Sequence, residues 1–411
     1  MPTESAPLAD TLPSALRRWD IFCNVIDNFG DIGVCWRLAR QLANEHGASV
    51  RLWVDDLASF RPLCPELDVA CDAQTVSTGQ AGVGGATQVE VRRWTTPFSP
   101  VSSLLPLEPS DVVIEAFACR LPESYEQAMA ARQPAPVWIN LDYLSAEDWV
   151  ASCHALPSPH PRLPLTKYFF YPGFNAKTGG LLLEHGLDAA RQNFKAEPEQ
   201  QAEFWRRLGF APPDPGTQTL TVFAYENPAL PRLLDMWAGE TTPTCLLLPP
   251  TRTQASVEAW LGEGLPPGRA IRRGALEIRA VPFVDQIDFD RLLWLGDANF
   301  VRGEDSFVRA QWAATPFVWH IYPQEDGAHQ VKLEAFLARY TEGLSPAAAR
   351  AVREVYAAWN GFTPPDEAAK AWHAWRAARP ELEAHALRWQ KNLQKQEDLC
   401  SALVRFCRTK L

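Results

Sequence analysis

Val301-Arg302-Gly303-Glu304-Asp305-Ser306-Phe307 decides how this chain is read. Ahead of it, Ala298-Asn299-Phe300-Val301 is an apolar run of the kind that ends a buried strand. Behind it, Phe307-Val308-Arg309-Ala310-Gln311-Trp312-Ala313 has the spacing of a helix. Between them stand an arginine, a glycine, two acids and a serine. Gly303 permits a tight turn and a close backbone approach. Asp305 and Ser306 are N-cap residue types, and the free N–H groups of a helix start favour an anion. In an open α/β sheet, ligands bind at such strand-to-helix turns, outside the carboxyl ends of the strands. A plainer reading is a helix cap with an Asp305–Arg309 ion pair one turn apart. That reading does not account for a second stretch of the same kind near the other end of the chain.

The second stretch follows Trp19-Asp20-Ile21-Phe22-Cys23-Asn24-Val25-Ile26, which reads as a strand. Asp27-Asn28-Phe29-Gly30-Asp31-Ile32-Gly33 is then a turn. Val34 to His46 reads as a helix with Val34, Leu38 and Leu42 on its apolar stripe and Arg37 and Arg40 outside. Strands at Ser49 to Val54, Glu90 to Trp94, Asp111 to Phe117 and Val137 to Leu141 continue the alternation. Strand–helix alternation indicates a parallel sheet with right-handed crossovers. Gln74 to Gln88 is rich in Gly, Ser and Thr but has no Lys-Ser or Lys-Thr, so it is expected to be a mobile surface loop rather than a phosphate loop. From Ala146 to Gly180 the alternation lapses in a proline-dense, irregular segment.

After a Pro/Gly/Asp punctuation at Pro212 to Thr217, the pattern returns. Strands are expected at Leu220 to Tyr225, Cys245 to Leu248, Ile278 to Phe283, Phe300-Val301 and Pro316 to Ile321, with helices between them. From Gln330 onward the chain reads as nearly all helix, and these last helices could cross back onto the first half. The boundary falls between Gly180 and Thr217. The expected organisation is a flexible leader at 1–18, one α/β domain at 19–185 and a second at 186–411, two similar halves with a cleft between them.

Composition narrows the function. A chain of 411 residues is long for one domain, and 46% apolar content supports sizeable cores. A formal net charge of −10 argues against nucleic acid or an anionic membrane as the main partner. No apolar run reaches the length of a membrane span. The nine cysteines form no CxxC pair and are odd in number, which fits reduced thiols in the cytoplasm better than disulfides or a zinc site. The 16 tryptophans are expected to be packing residues.

The two turns read as complementary chemistry. Gly30-x-x-Gly33 is shorter than a dinucleotide fingerprint, and Asp27 and Asp31 beside it would repel a pyrophosphate. That turn suits a proton acceptor; its plainer reading is Asx capping of the turn. The turn at Arg302 offers the converse, a two-pronged contact to phosphate oxygens. A phosphate-holding turn in one domain and an acid-bearing turn in the other imply transfer from a nucleotide-linked donor. Such transfer needs a base on the acceptor and charge stabilisation on the departing diphosphate. No DxD metal pattern recurs and Asp55-Asp56 is a poor metal site, so no metal or other cofactor is expected.

Longer motifs sharpen this. FCNVIDNFGDIGVCWRLARQL at 22–42, VIEAFAC at 113–119, YLSAEDW at 143–149, VRGEDSFVRAQWA at 301–313 and PFVWHIYPQED at 316–326 resemble the bacterial protein-arginine rhamnosyltransferases that mature translation elongation factor P. The resemblance runs from about Trp19 to the C-terminus and leaves the first 18 residues and the 74–88 segment unexplained. It implies a GT-B glycosyltransferase fold, with two Rossmann-like domains facing across a cleft. It implies dTDP-β-L-rhamnose as donor and an arginine of elongation factor P as acceptor, with the acceptor side on the N-terminal domain and the nucleotide sugar on the C-terminal one. Asp31 matches the family's proposed general base, Asp27 its companion acid, and Glu304 its essential glutamate. Asn28, Phe29 and Gly30 match positions lining the donor. Phe223-Ala224-Tyr225 and Gln286 match nucleotide-contacting positions. Arg302, Asp305 and Ser306, in the turn made by Gly303, match diphosphate and nucleotide contacts.

The acids make chemical sense for that acceptor. A guanidinium is protonated at neutral pH and has no free lone pair. A carboxylate must hold it, aim one nitrogen and take a proton as the new bond forms. Three other readings stay open on residues alone: a nucleotide-sugar transferase with a different acceptor, a nicotinamide-dependent oxidoreductase, and an adaptor that binds an arginine-bearing loop without chemistry. The first lacks a basic membrane-facing patch for lipid acceptors. The second lacks its glycine fingerprint. Sugar transfer separates the third from an enzyme.

Overall fold

A computed structural model of the chain describes residues 12–27, 29–82, 85–94 and 108–411. Two compact units divide it. The first runs to His185 and takes in Gln396–Leu411, and the second spans Gly186–Lys395.

Among the described residues, the first unit is built on strands β1 (Arg18–Cys23), β2 (Ser49–Val54), β3 (Ala73–Gly82), β4 (Gly85–Arg93), β5 (Val112–Ala116), β6 (Val137–Leu141), β7 (Pro157–Pro159) and β8 (Thr166–Phe170). They lie in the order β3-β4-β2-β1-β5-β6-β8-β7. β1, β2, β4, β5, β6 and β8 pair in parallel, while β3 and β7 close the two edges antiparallel. β1, β5 and β6 are buried along nearly their whole length because helices cover both faces of a parallel sheet. The helix Leu399–Arg408 belongs to this unit, with Leu399, Leu403, Val404 and Cys407 buried in the core that holds Ile21, Leu38 and Ile114.

The second unit carries β9 (Gln218–Val222), β10 (Thr244–Leu248), β11 (Ala270–Arg273), β12 (Leu276–Ala280), β13 (Ala298–Arg302) and β14 (Phe317–His320). Their order is β11-β12-β10-β9-β13-β14, parallel except for the β11–β12 pair. Tryptophans seal the helices that follow onto this sheet. Phe300 of β13 lies 4.5 Å from Trp359 and 5.5 Å from Trp372 between ring centroids, and Trp372 stacks on Trp375 at 4.8 Å. Trp19, Trp53, Trp138 and Trp237 are likewise fully buried, whereas Trp149 is largely exposed.

Four expectations need correction. Residues 1–11 of the supposed leader lie outside the described residues, but Leu12 and Leu16 are buried in the first core, so 12–18 is packed chain. The Gly/Ser/Thr-rich segment is no loop: Ala73 pairs with Arg92 and Val76 with Val89 in an antiparallel hairpin. Val76 and Thr78 are buried while Thr75, Ser77 and Gly79 are exposed, an alternation of period two that small polar residues conceal. Inside the proline-dense segment, Thr166–Phe170 is a strand paired in parallel with β6. Arg37, expected on the outer face of its helix, is buried and donates to Glu184 at 3.2 Å.

Candidate active site

Each sheet has one place where neighbouring parallel strands send their connections to opposite sides. In the first unit it lies between β1 and β5, and in the second between β9 and β13. Ligands of open α/β sheets bind just beyond the carboxyl ends of such strand pairs. The acidic turn follows β1, and the Arg302 turn follows β13.

In the second unit, Phe223 continues from β9 and its N–H donates to Phe300 O at 2.9 Å. This places Phe223 and Tyr225 beside the end of β13. The buried Arg302 guanidinium carbon lies 4.8 Å from both ring centroids, a cation between two aromatic faces. Gly303 has φ 61°, the left-handed conformation that a tight turn needs here. Ser306 locks the turn: its hydroxyl accepts from Arg302 N–H at 3.1 Å and donates to Arg302 O. Trp319 donates its indole N–H to Gly303 O at 2.8 Å and stacks on Phe307 at 3.8 Å. The helix Asp305–Trp312 begins immediately after.

Glu304 and Asp305 stay half-buried at this helix start. Neither Asp305 nor Ser306 is the N-cap that their residue types suggested: the cap residue is Glu304, without a side-chain capping bond. Arg309 makes a buried fork to Asp290, with Nε–Oδ1 at 2.8 Å and Nη2–Oδ2 at 2.7 Å, a contact the helix pattern did not suggest. Gln286 is the buried first residue of the helix Gln286–Leu295 and donates to Asp305 Oδ2 at 3.4 Å, while Asp285 caps that helix. Arg302, Ser306, Phe223 and Tyr225 thus meet at one point, with Gln286 joined to Asp305. An arginine held between two rings beside a helix N-terminus is an arrangement whose chemistry suits an anion.

Sequence reasoning missed two neighbours. His320 ends β14 in register with Arg302, its ring 5.2 Å from Tyr225. Burial and the nearby Arg302 charge push its imidazole down to about 4, so it is neutral. Tyr322, 46% exposed, meets Tyr225 edge-to-face at 5.6 Å. The signal for both was position: they leave the strand next to β13.

In the first unit, Phe29 opens the helix Phe29–His46, and Asp31 sits in its first turn at 3% exposure. Asp31 Oδ2 accepts the N–H of Ile26 at 2.9 Å and of Asp27 at 2.8 Å. The plainer capping role is therefore real, but it occupies one oxygen only. Oδ1 accepts the hydroxyl of Tyr143 at 3.2 Å. Gly30 N–H donates to Asp27 O at 2.6 Å, and a Cβ on Gly30 would come within 2.8 Å of Asp27 Oδ2, so glycine lets the acid fold over the turn. Asp55 anchors the approach by accepting Val25 N–H at 2.9 Å, and burial pushes its carboxyl up. Asn28 lies outside the described residues. The arrangement offers Oδ1 of a buried carboxylate, beside the half-buried Asp27, as a proton acceptor.

Residues 19–408 match the family model for elongation factor P (EF-P) rhamnosyltransferase EarP. The chain belongs to the EarP family. It is 51% identical over 394 residues to the protein-arginine rhamnosyltransferase of Pseudomonas putida, covering 96% of this chain and 99% of that one. It is 47% identical over 389 residues to the enzyme of the same name from Pseudomonas aeruginosa, covering 94% and 98%. A solved structure described as the basis for EarP-mediated arginine glycosylation of translation elongation factor EF-P aligns with a TM-score of 0.66 at 39% identity, over 96% of this chain and 99% of that one. The EarP structure shares this fold of two α/β units, each built on a largely parallel sheet. Among the described residues, no group of three or more His, Cys, Asp or Glu side chains is placed to hold a metal ion. No helix there is long and apolar enough to cross a membrane.

Proposed function

We propose that the protein transfers L-rhamnose from dTDP-β-L-rhamnose to an arginine side chain of translation elongation factor P, with inversion at the anomeric carbon. The acceptor and sugar class rest on family membership, and the division of labour rests on the two turns. What carries the chemical reading is Asp31. It is a buried carboxylate with one oxygen held by two amides and the other left to accept a proton.

In this reading the second unit holds the donor. Phe223, Tyr225 and Gln286 take the nucleoside, while Arg302 and the first amides of the helix Asp305–Trp312, that of Ser306 among them, take the diphosphate. Their positive potential replaces a metal ion at the leaving group. The first unit presents Asp27 and Asp31 to the acceptor guanidinium. As the C–N bond forms, the bond from the anomeric carbon to the diphosphate oxygen breaks and its electron pair leaves with dTDP. The proton on the attacking nitrogen passes to Asp31, and Asp27 grips the cation and orients it. Glu304, whose charge a neighbouring diphosphate would repel, holds a sugar hydroxyl. No cofactor takes part, and a translation factor as acceptor places the reaction in the cytoplasm.

The test is the intact mass of elongation factor P after incubation with the protein and dTDP-rhamnose, alongside Asp31→Asn. The expected result is a gain of one deoxyhexose, located on arginine by fragmentation and absent with the variant. No gain with a folded protein and an intact donor overturns the acceptor assignment. A gain that survives Asp31→Asn moves the base to Asp27.

A further inference from the structure

Two of the motifs quoted above, VIEAFAC at 113–119 and YLSAEDW at 143–149, have no part in the reaction as described. The sheet brings them to Asp31. β1, β5 and β6 are consecutive, with Phe22 opposite Glu115 and Ala116 opposite Leu141. The chain leaving β5 is Phe117, and Tyr143 lies two residues beyond β6, so both stand at the same edge as the acidic turn.

The exit from β5 is strained. Phe117, Ala118 and Arg120 have φ of 55°, 54° and 57°, a left-handed conformation that side-chain-bearing residues rarely adopt. The sheet enforces it. Phe117 N–H donates to Leu141 O at 2.7 Å and Arg120 N–H to the buried Glu115 Oε1 at 3.0 Å. Glu115 is in turn held by Lys167 at 3.0 Å. The product of this strain is the place of one ring. Phe117, itself buried, stacks on Tyr143 at 4.5 Å with 19° between planes. Tyr143 then reaches Asp31 Oδ1 through its hydroxyl.

We propose that Tyr143 is a positioning residue for Asp31, held in place by the stack on Phe117. Two amides fix Oδ2 but leave the carboxylate free to turn about that oxygen. A hydroxyl bonded to Oδ1 sets the plane of the group and leaves one lone-pair direction of Oδ1 for the incoming proton. This inference rests on Asp31 being the base.

The experiment is steady-state transfer to elongation factor P by Tyr143→Phe, which keeps the ring and its stack and removes only the hydroxyl. The expected result is a kcat lowered roughly tenfold to a hundredfold, because small misplacements of a reacting group cost that much. The donor KM and the melting temperature stay unchanged. Phe117→Leu, which frees the Tyr143 ring, lowers kcat in the same sense and serves if the first variant folds poorly. Asp31→Asn is run in parallel. If it is inactive while Tyr143→Phe keeps the full kcat, the positioning role falls and the base stands. If Asp31→Asn keeps full turnover, both fall. A loss of kcat that comes with a raised donor KM and a lowered melting temperature assigns Tyr143 to the fold alone and overturns the proposal.

Discussion

Arg302 stands between the rings of Phe223 and Tyr225, its guanidinium carbon 4.8 Å from each centroid. Two aromatic faces from the exit of β9 thus fix the plane of a cation at the exit of β13. A guanidinium so held presents its donors as a fork, with little side-chain entropy left to lose on binding. A lysine carries the same charge but only a point contact on a flexible stem. Arg302→Lys is therefore expected to weaken donor use by roughly 10- to 100-fold in kcat/KM for dTDP-rhamnose. The melting temperature should shift little. Kinetics at varied donor concentration check this, and wild-type kinetics in the variant would remove Arg302 from the diphosphate site.

Glu304 sits at the cap position of the helix Asp305–Trp312 without a side-chain bond to the helix amides. Its carboxylate is thus not consumed by capping. If it acts on the sugar as bonds change, Glu304→Gln lowers kcat by roughly two orders of magnitude while calorimetric affinity for the donor stays near normal. An intact kcat shows that the charge is not needed. A lost affinity shows that Glu304 serves ground-state binding instead.

The Arg309–Asp290 fork beneath the Arg302 turn is almost fully buried. Breaking a buried ion pair by removing one partner costs about 3–5 kcal/mol. Arg309→Met is expected to lower the melting temperature by roughly 10 °C for a unit of this size. The double variant Arg309→Met/Asp290→Leu should recover much of that loss, since an apolar pair of similar volume is often neutral. Calorimetry of the three proteins checks the order. A single variant as stable as wild type would mean that water or another group satisfies Asp290.

What the sequence made legible follows from where physics acts locally. The turns after β1 and β13 were readable because a glycine, acids and an arginine stand between an apolar strand and a periodic helix. Glu304, Asp305, Ser306 and Arg302 were all named on that basis, and the structure gathers Arg302 with Phe223, Tyr225 and Ser306. What was lost depended on partners far away in sequence. Arg37 looked solvent-facing because its ligand, Glu184, lies 147 residues on. The buried partner of Arg309 was missed because nothing local shows that Asp290 faces it. The β3–β4 hairpin was hidden because Thr78 and Ser77 do not register as an in–out pattern. Tyr143 had no local signal at all: its bond to Asp31 spans 112 residues and exists only because β6 lies two strands from β1.

His320 gives the last prediction, on acid stability. Its ring is buried against Tyr225 and Trp359, and its Nδ1 has no hydrogen-bond partner among the described residues. Burial and the Arg302 charge lower its folded value to about 4 from an ordinary 6.5. Between these values the unfolded chain binds the proton and the folded chain does not. The stabilisation is thus whole above about pH 6.5 and is lost as pH falls toward about 4. By pH 5 the loss from this one group is roughly 2 kcal/mol. His46, His154 and His385 are lowered mainly by burial and add in the same direction. His320→Gln removes one of these four titrations, so its melting temperature should fall less steeply than that of the wild type between pH 7 and pH 5, whatever its value at pH 7. Parallel slopes would show that His320 titrates alike in the folded and unfolded protein, and so carries a proton in the fold by pH 5. That would place a second positive charge beside Arg302, and the donor's diphosphate would then meet two cations there.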